Sequence, residues 1–321
     1  MAAAPFAELN IVLFNVSSSD ASVTAADRQQ CMEVILDTVL AKNYPNLFVL
    51  CQDNINGPKH KILRRKLGQG PSFFRFRSEA GVYHRSDSDA GGYDVSYVDV
   101  ATMQRVEDSI RLETGNPFKK SNLMACVLTP RLGSKKVLLV SWHGPHKSAQ
   151  KATCFRRLVR FSERLRRECQ CCDIAIIGGD FNMSDKDARR EMDSLRKSDR
   201  VDGAVLGGYT TTEDRREGRT QKCIDFVVYW PKDALQTLKV STVMPDFRRE
   251  KGKRPFDHPI VLYRLGEAFF FIWQDNLATS RYMIDEVETV GWLGDSYSRR
   301  ECRNGVGCQK VHPIGMQGRS C

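Results

Sequence analysis

Ile176-Ile177-Gly178-Gly179-Asp180-Phe181-Asn182 is an apolar run that ends in two glycines, with a carboxylate and an amide two residues apart behind them. Glycine lets the backbone turn sharply and approach a ligand. Side chains two apart at a strand end share a face. An Asp and an Asn placed this way can hold a hydrated cation, position water or bind phosphate oxygens. The competing reading is an Asx turn, which these residue types favour after any strand. Further along the chain, Asp257-His258 sits between Phe256 and Pro259. A neighbouring carboxylate fixes the tautomer of an imidazole and raises its basicity, which suits general-base or charge-stabilising work. A surface turn with an incidental His is the bland alternative.

Other apolar runs also end in one polar residue that can bind metal or phosphate. These are Asn15, Gln52-Asp53, His143 in Ser141-Trp142-His143-Gly144, and Asp225 in Cys223-Ile224-Asp225-Phe226. An Asp inside an apolar run is costly to bury unless it is paired or hydrogen-bonded. Ligand sites in sheets gather at strand ends, so the convergence outweighs any single motif.

Strands are predicted at Leu9 to Val16, Leu47 to Cys51, Phe73 to Arg77, Ala80 to His84 and Asp94 to Val100. Leu123 to Leu128 and Lys136 to Trp142 read as an antiparallel pair turning at Gly133-Ser134. Asp173 to Ile177, Ile224 to Tyr229 and Ile260 to Arg264 are late strands. Apolar spacing predicts helices over Asp27 to Lys42, Thr153 to Cys169 and Asp187 to Lys197. In the second of these, Arg156, Arg160, Arg164 and Arg167 oppose the apolar face and read as a solvated stripe. Short strands mixed with helices, without strict strand-helix-strand repetition, predict an α/β (α+β) four-layer sandwich of two packed mixed β-sheets flanked by helices. Residues 1–266 form the predicted domain. Residues 267–321, with the aromatic cluster Phe269 to Trp273, read as an appendage, partly helical around Ala278 to Val290 and disordered at its end.

The chain of 321 residues has a formal net charge of +10. Such a balance attracts polyanions, nucleic acid first, then phosphoinositides and anionic surfaces. Arg248, Arg249, Lys251, Lys253 and Arg254 directly precede Asp257-His258 and are candidates for neutralising substrate phosphates. Lys59-His60-Lys61 with Arg64-Arg65-Lys66, after Asp53, are candidates for the same task. The cysteines number 11, an odd count, and several lie in apolar runs, which predicts a reduced intracellular protein, cytoplasmic or nuclear. The N-terminus has no signal-peptide pattern, and no stretch approaches the length of a transmembrane helix.

In chain order, Asn15, Gln52-Asp53, His143, Gly179-Asp180-Phe181-Asn182, Ile224-Asp225-Phe226 and Asp257-His258 resemble the motifs of the endonuclease/exonuclease/phosphatase superfamily, the deoxyribonuclease I-like fold. The resemblance spans residues 8 to 265. It implies hydrolysis of phosphoester bonds with one or two Mg²⁺ or Mn²⁺ ions. Asp53, Asn15, Asp225 and Asp257 would supply metal ligands. Asp180 would orient or deprotonate the attacking water. His258, held by Asp257, would stabilise or protonate phosphoryl oxygens, and Asn182 and His143 would grip the phosphate. Nucleic acid is the favoured substrate. The alternatives are a phosphatase or phosphodiesterase acting on inositol phosphates, lipids or nucleotides, and a catalytically weak module that binds nucleic acid or protein. Two positions depart from the pattern: Asp53 stands where the superfamily has Glu, and Phe256 where it has Ser.

Overall fold

The computed structural model describes residues 8–17, 23–55, 57–69, 78–85, 92–114, 122–131, 135–169, 172–207, 223–242, 256, 258 and 260–267. The first apolar run forms β1 (Leu9–Asn15). A helix, α1 (Ala25–Leu40), carries the chain back to β2 (Leu47–Ile55), which runs parallel to β1. A parallel pair needs such a crossover because its strand ends lie at opposite edges. Thr24 starts α1 with a capping box: its hydroxyl accepts from Asp27 N, and the Asp27 carboxylate accepts from Thr24 N. The second half repeats the device. β7 (Val137–His143) and β8 (Ile174–Asp180) are parallel and joined through α4 (Lys151–Glu168).

The remaining strands are β3 (Gly68–Gln69), β4 (Ser78–Arg85), β5 (Tyr93–Tyr97), β6 (Leu123–Pro130), β9 (Ala204–Leu206), β10 (Asp225–Trp230), β11 (Leu235–Thr242) and β12 (Val261–Glu267). They flank these two parallel pairs, so that one six-stranded sheet has the order β11-β12-β1-β2-β4-β3 and the other β5-β6-β7-β8-β10-β9. Both sheets are mixed. The other helices are α2 (Gly57–Leu67), α3 (Val100–Thr114) and α5 (Asp185–Asp199).

Side-chain alternation builds three apolar layers. Leu9, Ile11 and Leu13 of β1 meet Ile174, Ile176 and Val227 between the sheets. Val12, Phe14 and Val16 turn the other way, onto Met32, Ile35 and Leu36 of α1 and Leu63 of α2. Ala175 and Ile177 of β8 face Phe155, Leu158 and Leu165 of α4 with Met192 and Leu195 of α5. Strands buried on both faces read as continuous apolar runs rather than as alternation. The result is the predicted four-layer sandwich, helix–sheet–sheet–helix. Among the described residues, no helix is long and apolar enough to cross a membrane.

Several elements differ from the sequence reading. The strand expected over Asp94 to Val100 ends at Tyr97, and Val100 opens a helix, α3. Asp99 caps it, accepting from Thr102 N at 2.7 Å, while Met103, Val106 and Ile110 form its buried stripe. The basic cluster after Asp53 is α2, with Pro58 in its first turn as that position tolerates. Two of its cations pair with α1: Arg65 with Glu33, and Lys66, whose Nζ lies 2.7 Å from Asp37 Oδ1. The short β9 and the edge strand β11 had no distinctive apolar signal.

The arginine stripe of α4 is not simply solvated. Arg156 pairs with Glu191 and Arg160 with Asp199 in a two-bond fork at 3.0 Å each, both onto α5, while Arg164 donates to Ser109 of α3 at 2.6 Å. These arginines bridge neighbouring helices of one layer. Both partners of the Arg160 pair are about a third exposed. Arg160→Ala should therefore lower stability by only about 0.5–1 kcal/mol, read from the urea midpoint. The expected strand Phe73 to Arg77, the Gly133-Ser134 turn and the appendage from residue 268 lie outside the described residues.

Candidate active site

The polar strand ends assemble at one edge of the sandwich. Register places His143 of β7 opposite Asp180 of β8, and Asp225 of β10 opposite Asp180 on its other side. In the facing sheet Asn15 of β1 is level with Gln52 of β2. The sheets meet where Asn15 Nδ2 donates to Asp180 Oδ2 at 3.0 Å.

Asp180 is the centre, with 1% of its surface exposed. Its Oδ1 accepts from Asn182 N at 2.7 Å, and its Oδ2 also accepts from Asn182 Nδ2 at 3.3 Å. The first of these bonds is the Asx turn expected as the bland alternative. The turn and the site are therefore the same structure. Asn182 adopts the left-handed conformation, φ 52°, which Asn tolerates better than most residues. Its amide also donates to Gly144 O at 2.9 Å. Gly144 lies so close to this loop that a Cβ there would sit 2.4 Å from Phe181 O. Phe181 anchors the loop from below, stacked on Phe226 with ring centroids 4.0 Å apart.

Two imidazoles flank Asp180. The Nε2 atoms of His143 and His258 each lie 3.8 Å from Asp180 Oδ2. Each ring has a carboxylate behind it. His258 Nδ1 is 2.8 Å from Asp225 Oδ2, so its Nδ1 carries the proton and Nε2 is turned toward Asp180. His143 Nδ1 is 3.3 Å from Glu79 Oε2, within ion-pair range but outside hydrogen-bond geometry. Burial pushes the Asp180 carboxyl above the usual carboxylate range; Asp225 adds to this, and the two imidazoles oppose it.

The sequence expectations map onto this geometry unevenly. Asp180, Asn182, His143, Asp225, Asn15 and His258 come together. Among the described residues the carboxylate on His258 is that of Asp225; Asp257, expected to hold His258, lies outside them. Arg248, Arg249, Lys253 and Arg254 lie outside them as well, as does the side chain of Asp53 on β2. Asn15, expected among metal ligands, has both ends of its amide engaged: Oδ1 accepts from Ser17 N at 2.9 Å while Nδ2 orients Asp180. Asn182, expected on phosphate, uses its amide to tie two loops together. Glu79 was missed, since one acid at a strand start carries no signal of its own. Asn122, which holds His143 O at 2.8 Å, was missed for a similar reason.

Phe256 explains one departure from the motif. It is buried among Phe14, Ile35 and Leu63 and meets Phe14 edge-on, with centroids 5.3 Å apart and planes at 84°. The residue points into the helix-covered core and anchors the chain two positions before His258. Phe256→Ala should cost about 3–5 kcal/mol in urea unfolding.

Asp180, Asp225 and His258 each offer a ligand atom, all within 4.8 Å of one another. Asp225 Oδ1 is buried with no hydrogen-bond partner among the described residues. Two carboxylates, one with an unused buried oxygen, suit a hard divalent cation.

No protein-family model matches the sequence, and no curated protein matches it. Solved structures do. An endonuclease/exonuclease/phosphatase from Bacteroides vulgatus aligns with a TM-score of 0.56 at 14% identity, covering 81% of this chain and 99% of that one. The fold is that of the endonuclease/exonuclease/phosphatase superfamily. TDP2 of D. rerio, solved with a single-strand DNA product, aligns with a TM-score of 0.53 at 14% identity over 80% of this chain and 98% of its own. The human Nocturnin catalytic domain, solved with a sulfate anion, aligns at 0.51 and 14% identity over 80% and 94% of the two chains. Within the superfamily fold, the cluster around Asp180 occupies one end of the paired sheets, where β1, β7 and β8 terminate.

Proposed function

We propose that the protein is a divalent-metal-dependent phosphoesterase that hydrolyses phosphodiester bonds of nucleic acid. The observation that carries this reading is the buried Asp180 carboxylate between two imidazoles, each backed by its own carboxylate. A carboxylate of raised proton affinity is a better base toward water than an exposed one. Asp180 orients the attacking water and takes its proton. His258, its Nδ1 proton held by Asp225, presents Nε2 to a phosphoryl oxygen and stabilises the developing charge once protonated. His143, with Glu79 behind it, turns its own Nε2 toward Asp180 and grips a phosphoryl oxygen from the other flank. Asn15 and Asn182 keep the Asp180 carboxylate in one orientation, so no reorganisation is needed at the moment of reaction. Asp225, whose Oδ1 is unused among the described residues, with Asp53 as the expected further ligand, would hold the cation, which when bound neutralises charge on the phosphoryl group.

The net charge of +10 favours a polyanionic substrate over a small ester. The full-length protein should nick plasmid DNA in Mg²⁺ or Mn²⁺ and stop in EDTA, with a small phosphomonoester and single-stranded RNA offered in parallel. Turnover of the monoester alone would replace nucleic acid with small phosphate esters as substrate. Salt-sensitive DNA binding without turnover of any substrate would leave a binding module and overturn the enzyme. Asp53 is one methylene shorter than the superfamily's Glu. If that shortening weakens the metal site, Asp53→Glu should lower the Mg²⁺ concentration needed for half-maximal cleavage.

A further inference from the structure

We infer that Gln52 and Ser141 are positioning residues: a buried tie between the two sheets that sets their spacing beneath Asp180. The inference rests on the phosphoesterase reading for its catalytic consequence. The site is assembled from both sheets. Asn15 comes from one, while His143, Asp180 and Asp225 come from the other. Its geometry therefore depends on how the sheets sit against each other. Most of the seam between them is apolar, lined by Leu13, Leu50, Ile176 and Val227. Apolar contact is non-directional, so by itself it does not set hydrogen-bond geometry across the seam.

At the catalytic end two fully buried polar side chains interrupt that seam. Gln52 Nε2 donates to Ser141 Oγ at 3.1 Å and to Leu50 O at 3.0 Å. Ser141 in turn donates to Cys51 O at 3.2 Å. Gln52 and Ser141 are each 0% exposed. The tie thus runs both ways between β2 and β7. It also lies at the right depth: Gln52 is level with Asn15, and Ser141 pairs with Gly178, two residues before Asp180. Gly179 is packed against the same amide, since a Cβ there would sit 3.1 Å from Gln52 Nε2.

Stability alone does not account for the amide. Gln52 Oε1 is buried with no hydrogen-bond partner among the described residues. An apolar residue at position 52 would avoid that cost, and replacing both partners of a buried hydrogen bond by apolar groups is often neutral or stabilising. A locally unfavourable group kept beside a site is expected where function demands it. Here the demand is the 3.0 Å bond between Asn15 and Asp180, which needs the sheets at one separation.

The test uses full-length Ser141→Ala, Gln52→Leu and the double variant, with kcat and KM on a DNA substrate, urea midpoints, and crystal structures of wild type and variants. Ser141→Ala should lower kcat about ten- to a hundredfold at unchanged KM, as misplacement by an ångström does. The double variant should regain the wild-type midpoint while kcat stays low. A kcat that recovers together with the midpoint would mean a merely structural pair and overturn the inference. If the double variant does not fold, Ser141→Ala decides, and an unchanged kcat overturns it. If wild type turns over no phosphoester, the functional reading fails and the crystal structures decide. An Asn15–Asp180 bond that keeps its length in Ser141→Ala overturns the tie, whereas a bond that opens supports it.

Discussion

Asp180→Asn is expected to lower kcat by about 10²–10⁴-fold, the usual contribution of a positioned general base, and to raise the melting temperature of the metal-free protein. The two effects have one cause. Asp180 is buried beside a second carboxylate, Asp225, and its proton affinity is raised above that of an exposed Asp. A carboxylate with a raised folded pKa binds its proton more tightly in the native state than in the unfolded one. Stability then falls as pH rises from the unfolded value, about 3.9, through the higher folded value. Asn keeps the shape and carries no charge, so it lacks this loss; its amide oxygen can replace only one of the two accepting oxygens, and its NH2 then faces a donor such as Asn182 N, a cost that does not change with pH. In EDTA the gap in melting temperature between Asp180→Asn and wild type should therefore widen from acid toward neutral pH. A constant gap, or a less stable variant at neutral pH, would refute the account. Retained cleavage in Asp180→Asn would remove Asp180 from the mechanism altogether.

Gly179→Ala should fail earlier, at folding. Gly179 has φ +150°, a conformation L-residues rarely adopt, and a Cβ there would sit 2.0 Å from Trp142 O. Trp142 is its register partner in the parallel β7–β8 pair. The clash is backbone against side chain, with no rotamer to relieve it, so the strands would have to part. Overpacking and forced φ together place the loss at about 4 kcal/mol or more. Low soluble yield, or a urea midpoint far below wild type, is the expected result. A wild-type midpoint would show that the loop can shift, and that the tight approach of β7 and β8 is not what holds His143 opposite Asp180.

These two adjacent positions show how unevenly the sequence reveals such a site. Asp180 announces itself, because a carboxylate behind an apolar run and two glycines has few places to go. The strands that bury both faces were legible as apolar runs, and α1, α4 and α5 as periodic stripes. Helix α3 was not, although Asp99 caps it. Only two residues separate it from the strand before it, and the local pattern there fits either period. The arginine stripe of α4 looked solvated because Glu191 and Asp199, its partners, lie 35 and 39 residues away in sequence.

Residue type and order alone were enough for the layers, the strand-end chemistry and the candidates Asn15, His143, Asp180, Asn182, Asp225 and His258. Those properties are local: a buried strand needs an apolar run, and a polar residue ending it needs a partner. Pairing is not local. That His258 is backed by Asp225, that Glu79 stands behind His143, that Phe256 turns into the core, and that Gln52 reaches Ser141 across the seam all depend on how the two sheets stack. Contacts between chain segments tens of residues apart are set by the packing of whole layers, which no short window of sequence contains.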